Sequence, residues 1–156
     1  MTETEPMSHS YTNLLYHIVF STKARQPLLD DGIRARLFAY LGGLTRAEGG
    51  IALVVNGMPD HVHLLAKLRQ DKPISDVIRA LKAKSSRWIH KTFPACSGFA
   101  WQRGYGVFTV SQSQVPRLTA YIQNQEEHHR RRPFQREFLA LLKAHGIEFN
   151  ELDVWE

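Results

Sequence analysis

The run His61-Val62-His63-Leu64-Leu65-Ala66-Lys67-Leu68 constrains the chain more than any other stretch of it. Successive side chains of an extended strand point to opposite faces, so Val62, Leu64, Ala66 and Leu68 share one side. His61, His63, Leu65 and Lys67 share the other. The first set is wholly apolar and needs a covering layer, whereas the second carries two imidazoles and an ammonium group. Such a strand belongs in a sheet with helices packed on one face.

The flanking sequence supplies the cover. Ile74 to about Thr92 places Ile74, Val77, Ile78, Leu81, Ser85 and Trp88 at three- and four-residue spacing, which predicts an amphipathic helix. Upstream, Asp30 or Asp31 can cap a helix running to about Ala47, with Ile33, Leu37, Tyr40, Leu41 and Leu44 on its apolar side; Gly49 and Gly50 end it. Tyr11 to Thr22 is rich in aromatic and β-branched residues and reads as a strand, and Ile51 to Val55 reads as a short apolar strand. Asn56 to Asp60 reads as the reversal between the second strand and His61, with Asn56-Gly57 as its turn signal and Pro59 lengthening it. Tyr105 to Ser111 is a fourth strand after Gly104. A helix from Val115 to about His129 follows, then another over roughly Gln135 to His145 that Gly146 stops. The tail from Ile147 is expected to dock through Phe149, Val154 and Trp155. The first six elements run β-α-β-β-α-β, which predicts a ferredoxin-like (RRM-like) α+β fold: an antiparallel sheet with helices on one face, plus C-terminal helices. The second face is then expected to stay free for a ligand.

Bulk properties narrow the partners. A chain of 156 residues that is 43% hydrophobic builds one core without staples, so a single domain over residues 10–156 is expected, behind a disordered tail over residues 1–9. No apolar run reaches the roughly 20 residues that span a bilayer, and the polar, acidic start is no secretory signal. A lone Cys96 forms no internal disulfide and no cysteine-based zinc cluster, which fits a reducing cytoplasm. A net charge of +5 with a pI near 9.6 is compatible with a polyanionic partner.

Chemistry enters at two places. His61 and His63 project from the same side of their strand about 7 Å apart, a spacing that suits two ligands of one metal ion; the alternative is a pair of strand histidines satisfied by hydrogen bonds. Tyr121 and Gln125 fall four residues apart on the helix after the fourth strand, hence on one helical side. A tyrosine can attack a phosphodiester and keep the phosphate covalently bound, so that the backbone can be resealed without an energy cofactor. With an unperturbed pKa of about 10 the phenol needs help at neutral pH, and a divalent cation can offset the developing charge. Gln125 offers a neutral oxygen, so His61, His63 and Gln125 would leave positions open for phosphate and water. A half-buried core tyrosine beside a surface glutamine is the alternative.

The motifs taken together resemble a known family. Tyr16-His17-Ile18-Val19-Phe20, Met58-Pro59-Asp60-His61-Val62-His63-Leu64-Leu65, Trp101-Gln102-Arg103-Gly104-Tyr105-Gly106, Tyr121 through His129, and His145-Gly146-Ile147-Glu148-Phe149 occur in the order seen in the small HUH transposases with a single catalytic tyrosine. The resemblance covers about Tyr11 to Trp155. It implies that Tyr121 is the nucleophile and that His61, His63 and Gln125 hold Mg²⁺ or Mn²⁺. It also implies a single-stranded DNA substrate with hairpin ends, a 5′-phosphotyrosine intermediate, a homodimer and a nucleoid-associated location.

Other residues carry weaker expectations. Arg79, Lys82 and Arg87 on the second helix, and Arg130 in the Arg130 to Arg132 run, are expected to contact DNA phosphates, since the substrate must be held somewhere; a solvated basic face is the alternative. His17 is expected to make a structural hydrogen bond, and Tyr105 to pack or stack. The rival functions are a domesticated nickase of palindromic repeats, a ferredoxin-like module that only binds nucleic acid, and a metallohydrolase working without a covalent intermediate.

Overall fold

The computed structural model describes residues 9–155, so the expected tail lies, apart from His9, outside the described residues. The elements are β1 (Leu14–Ser21), α1 (Asp31–Ala47), β2 (Ile51–Met58), β3 (His61–Leu68), α2 (Ile74–Thr92), β4 (Gly106–Val110), α3 (Val115–Gln123), α4 (Gln125–Arg131) and α5 (Phe134–Ala144). The strands form one antiparallel sheet in the order β2-β3-β1-β4, the ferredoxin-like order expected from the sequence. Asp30 caps α1 by accepting a hydrogen bond from the Ile33 amide at 3.0 Å.

Strand alternation sorts the sheet into two faces. Ile18 and Phe20 of β1 join Val62, Leu64, Ala66 and Leu68 of β3 in a core with Ile33, Leu37 and Leu41 of α1 and Val77, Ile78, Leu81 and Ile89 of α2. The opposite face is covered too, which the sequence did not lead us to expect. Val19 and Phe108 pack there against Phe134 and Leu142 of α5, with Phe149, Val154 and Trp155 of the tail alongside. His61 and His63 are consequently buried rather than exposed on a free face. The reason lies in α5, whose residues 134, 138, 141 and 142 make an apolar stripe that needs a surface to cover. Burying side chains such as Phe134 and Leu142 stabilises by roughly 1.5–3 kcal/mol each.

Two local expectations change for one shared reason. Asn56 and Gly57 form no turn: β2 runs on to Met58, which pairs with His61 around a two-residue connection, Pro59-Asp60. Asn56 instead donates from Nδ2 to the carbonyls of Ile122 at 2.9 Å and Gln123 at 3.2 Å. That side chain satisfies the last carbonyls of α3, and the helix predicted as continuous from Val115 to His129 breaks at Asn124 (φ −97°, ψ 29°). Gly57 serves the close approach of the strands, because a Cβ there would lie 2.2 Å from the His61 carbonyl oxygen. Gly57→Ala is therefore expected to cost about 1–3 kcal/mol of stability. An unchanged urea midpoint would contradict that.

Candidate active site

The site is assembled from β1, the turn before β3, β3 itself, α3, α4 and α5. Strand register sets His17 beside Leu65 and Val19 opposite His63, so the imidazoles of His17 and His63 meet on the α5 side of the sheet. Their rings stack at 5.0 Å, and His17 Nε2 lies 2.8 Å from His63 Nδ1. His61, two residues before His63, stacks on Phe134 at 4.2 Å and holds Asp60 Oδ1 at 2.7 Å from its Nδ1.

The ring nitrogens converge on one carboxylate that sequence reasoning missed. Glu137 Oε1 lies 2.9 Å from His63 Nε2, 3.2 Å from His129 Nε2 and 3.4 Å from His61 Nε2. Its other oxygen accepts the Tyr121 hydroxyl and faces Gln125 Nε2 at 3.4 Å. Gln125 Oε1 in turn lies 3.1 Å from His61 Nε2 and 3.0 Å from His129 Nε2. Thus His61, His63, Gln125 and Tyr121 are brought together, with Glu137 and His129 added. A signal for Glu137 was present: it is the one acid on the apolar stripe of α5. His129 enters the sequence reading only as the end of the Tyr121 to His129 motif.

Electrostatics follow from this crowding. Burial would raise the Glu137 pKa, but hydrogen bonds from His129, His61 and His63 outweigh it and hold the carboxyl far below its usual range. Burial lowers His61 as well, yet Asp60 and Glu137 together raise it above 6.5. For His63 burial dominates, and its pKa is lowered despite Glu137. His17 is lowered to about 3 by burial and by His63. Burial and the Glu137 charge push the Tyr121 phenol well above its ordinary value. A buried carboxylate costs several kcal/mol unless paired, and here three imidazoles supply the pairing.

The hydrogen-bond logic bears on whether a cation fits. Asp60 as a carboxylate can only accept, so His61 carries its proton on Nδ1 and turns Nε2 toward two acceptors, Glu137 Oε1 and Gln125 Oε1. His129 Nε2 faces the same two oxygens. Either a second proton on His61, with His129 donating from its Nε2–H, or one cation among these atoms satisfies that arrangement. The ligand atoms of His61, His63, His129 and Glu137 all lie within 4.8 Å of one another, and the nitrogen and oxygen donors suit a divalent first-row metal. The residues present therefore fit such an ion. His17 would act behind it: as a neutral imidazole it can accept from His63 Nδ1–H when His63 turns its Nε2 lone pair to a metal.

The four expected DNA-contact residues do not join this cluster. Arg79, Lys82 and Arg87 sit on α2, across the sheet from the histidines. Lys82 Nζ donates to the carbonyls of Gln102 at 2.6 Å and Gly104 at 2.7 Å. Arg79 bonds Asp76 at 3.2 Å, Arg87 is exposed, and Arg130 lies 3.6 Å from Glu127 on the exposed side of α4. Tyr105, expected to pack or stack, is exposed and outside the cluster.

Comparison with known proteins gives a consistent picture. Residues 10–125 match the family described as IS200-like transposases. The ISDra2 transposase TnpA of Deinococcus radiodurans is 29% identical over 119 residues, 73% of this chain and 85% of that protein. The transposase of insertion sequence element IS200 from Salmonella typhimurium is 27% identical over 132 residues, 81% of this chain and 86% of its own. A crystal structure of a Deinococcus radiodurans protein assigned as a transposase superposes with a TM-score of 0.65 at 30% identity, covering 79% of this chain and 98% of that one. A REP-associated tyrosine transposase bound to a REP hairpin superposes with a TM-score of 0.58 at 16% identity, covering 83% and 74%. At that identity the likeness is one of fold alone. Glu137 and His129 both lie beyond residues 10–125, the part that the family model matches.

Proposed function

The chain belongs to the IS200-like transposase family, and from that membership we propose that it cuts and rejoins single-stranded DNA with Tyr121 as its nucleophile. The observation that carries this reading is the convergence of the Tyr121 hydroxyl with His61, His63 and Gln125 on the single carboxylate of Glu137. His61, His63 and Gln125 are the proposed holders of Mg²⁺ or Mn²⁺, with His129 and Glu137 as further donors. A divalent cation there would neutralise the Glu137 charge and polarise the scissile phosphate.

In the proposed reaction the Tyr121 oxygen forms a bond to phosphorus as the bond to the 3′ oxygen breaks. The phenol gives up its proton, the departing oxygen takes one up as a 3′-OH, and a 5′-phosphotyrosine remains. Attack by another 3′-OH reverses these changes, frees Tyr121 and joins new ends. Glu137 accepts the phenolic hydrogen bond and fixes where the Tyr121 oxygen sits. Its negative charge also favours the neutral phenol, so the chemistry needs that charge compensated.

A hairpin in the substrate is part of the proposal, supported by the REP hairpin carried by a protein of the same fold. Arg79, Arg87 and Arg130 remain exposed and are proposed to follow the phosphate backbone, while Lys82 is held by carbonyls. A homodimer would use the edge of β4, which has no strand partner beyond β1 among the described residues. Among those residues no helix is long and apolar enough to cross a membrane.

Mn²⁺ titration followed by electron paramagnetic resonance tests the metal site without reference to activity. His63→Ala is expected to weaken binding at least about tenfold. Equal affinity in the variant and the parent would remove His63 from the ligand set.

A further inference from the structure

Next to the imidazole–carboxylate cluster a cavity of about 430 Å³ opens between the end of β4, α3 and the last turns of α5. Its lining includes His17, which hydrogen-bonds His63, and Tyr121, which hydrogen-bonds Glu137, so the cavity abuts the proposed reacting groups. The rest of the lining divides by chemistry. Leu118 of α3 and Leu141 of α5 give apolar wall, while Ser111 and Gln114 bring a hydroxyl and an amide that both donate and accept. The His145 ring packs on Phe108 at 4.4 Å and adds a flat aromatic surface. Arg117, exposed and one turn before Tyr121, brings a guanidinium to the same wall.

We propose that this cavity seats one unpaired nucleobase of the DNA strand, at the nucleotide adjoining the phosphate that Tyr121 attacks. The proposal rests on the reading of Tyr121 as nucleophile. A nucleobase has apolar faces and a polar edge, which matches apolar and aromatic wall beside a hydroxyl and an amide. The volume lies within the roughly 300–1,000 Å³ of small-molecule pockets. A base stacked and paired in a duplex cannot enter, so the seat favours a single strand. Arg117 is placed to take a neighbouring phosphate. A free phosphate alone would not use the leucine walls, and no carboxylate lines the cavity to hold a cation. Leu141 supplies the α5 wall of the seat, beyond residues 10–125 of the family match.

The test uses the full chain and a synthetic single-stranded DNA spanning the gene's own flanks, with one abasic nucleotide moved along it. Binding is expected to weaken about tenfold or more at one position next to the cut, and little elsewhere. Gln114→Ala, at an exposed position that leaves the core intact, and Leu141→Trp, which fills the cavity, should both shrink that position's penalty, because the seat is already impaired. Mn²⁺ binding should be unchanged in both. A penalty spread evenly over all positions, or one that persists in full in both variants, overturns the seat. A position-specific penalty without any covalent adduct at Tyr121 supports the seat and removes the nucleophile. An adduct with no position-specific penalty does the reverse.

Discussion

Tyr121→Phe is expected to lower the rate of strand cleavage by at least about a thousandfold while leaving affinity for single-stranded DNA nearly unchanged. The substitution deletes one oxygen, the atom proposed to bond phosphorus, and keeps the ring. That ring packs 4.5 Å from His128 and 6.0 Å from His63, contacts that phenylalanine preserves. Glu137 Oε2 loses the phenolic donor but keeps Gln125 Nε2 at 3.4 Å, so the stability change should be only about 1–2 kcal/mol. Cleavage and melting thus separate cleanly: a structural role for the hydroxyl would move the second and spare the first. Undiminished cleavage of a flank-derived single strand by the variant would end the tyrosine mechanism.

In the presence of a chelator the protein is expected to lose stability as pH falls below about 6.5. His17 is held at about 3 in the folded state, first by burial and then by His63, against 6.5 when unfolded. Between those values the unfolded chain binds the extra proton, so stability rises with pH by up to about 1.4 kcal/mol per unit and falls on acidification. His63, lowered chiefly by burial, acts in the same direction. His61 opposes them: its raised pKa contributes stability below the unfolded value that is lost as pH rises. Two depressed imidazoles against one raised leave a net loss toward acid. Glu137 extends it, since a carboxyl depressed below 4.5 contributes fully above that pH and loses its contribution below it. His17→Gln keeps a partner for His63 but cannot titrate, so its urea midpoints at pH 7 and pH 4.5 should differ less than those of the parent. A parent protein that is equally stable, or more stable, at the lower pH would contradict the assignment.

Much of the fold was legible because it rests on periodicity. The limits of β3 and α2 follow from period-two and period-3.6 patterns whose apolar stripes meet in one core. What escaped depended on contacts between distant segments. Asn56 reads as a turn residue by itself; only the approach of α3, more than sixty positions later, makes it a cap for Ile122 and Gln123 and breaks the helix at Asn124. The second covered face escaped because an apolar stripe on α5 shows that a helix packs, not on what it packs. In the site, His61, His63, Tyr121 and Gln125 stood out as residue types with a chemistry and a spacing. Glu137 did not, since its importance comes from sitting beneath three imidazoles that belong to β3 and α4.

The proposed reaction stands on a covalent link between Tyr121 and DNA. Labelled single strands from the gene's flanks, incubated with the protein and Mn²⁺ and run on a denaturing gel, test it directly. A labelled band at the mass of protein plus the 5′-phosphorylated fragment is expected, present in the parent and absent in Tyr121→Phe. Cleaved DNA with no such band, or the same band in the variant, would contradict it.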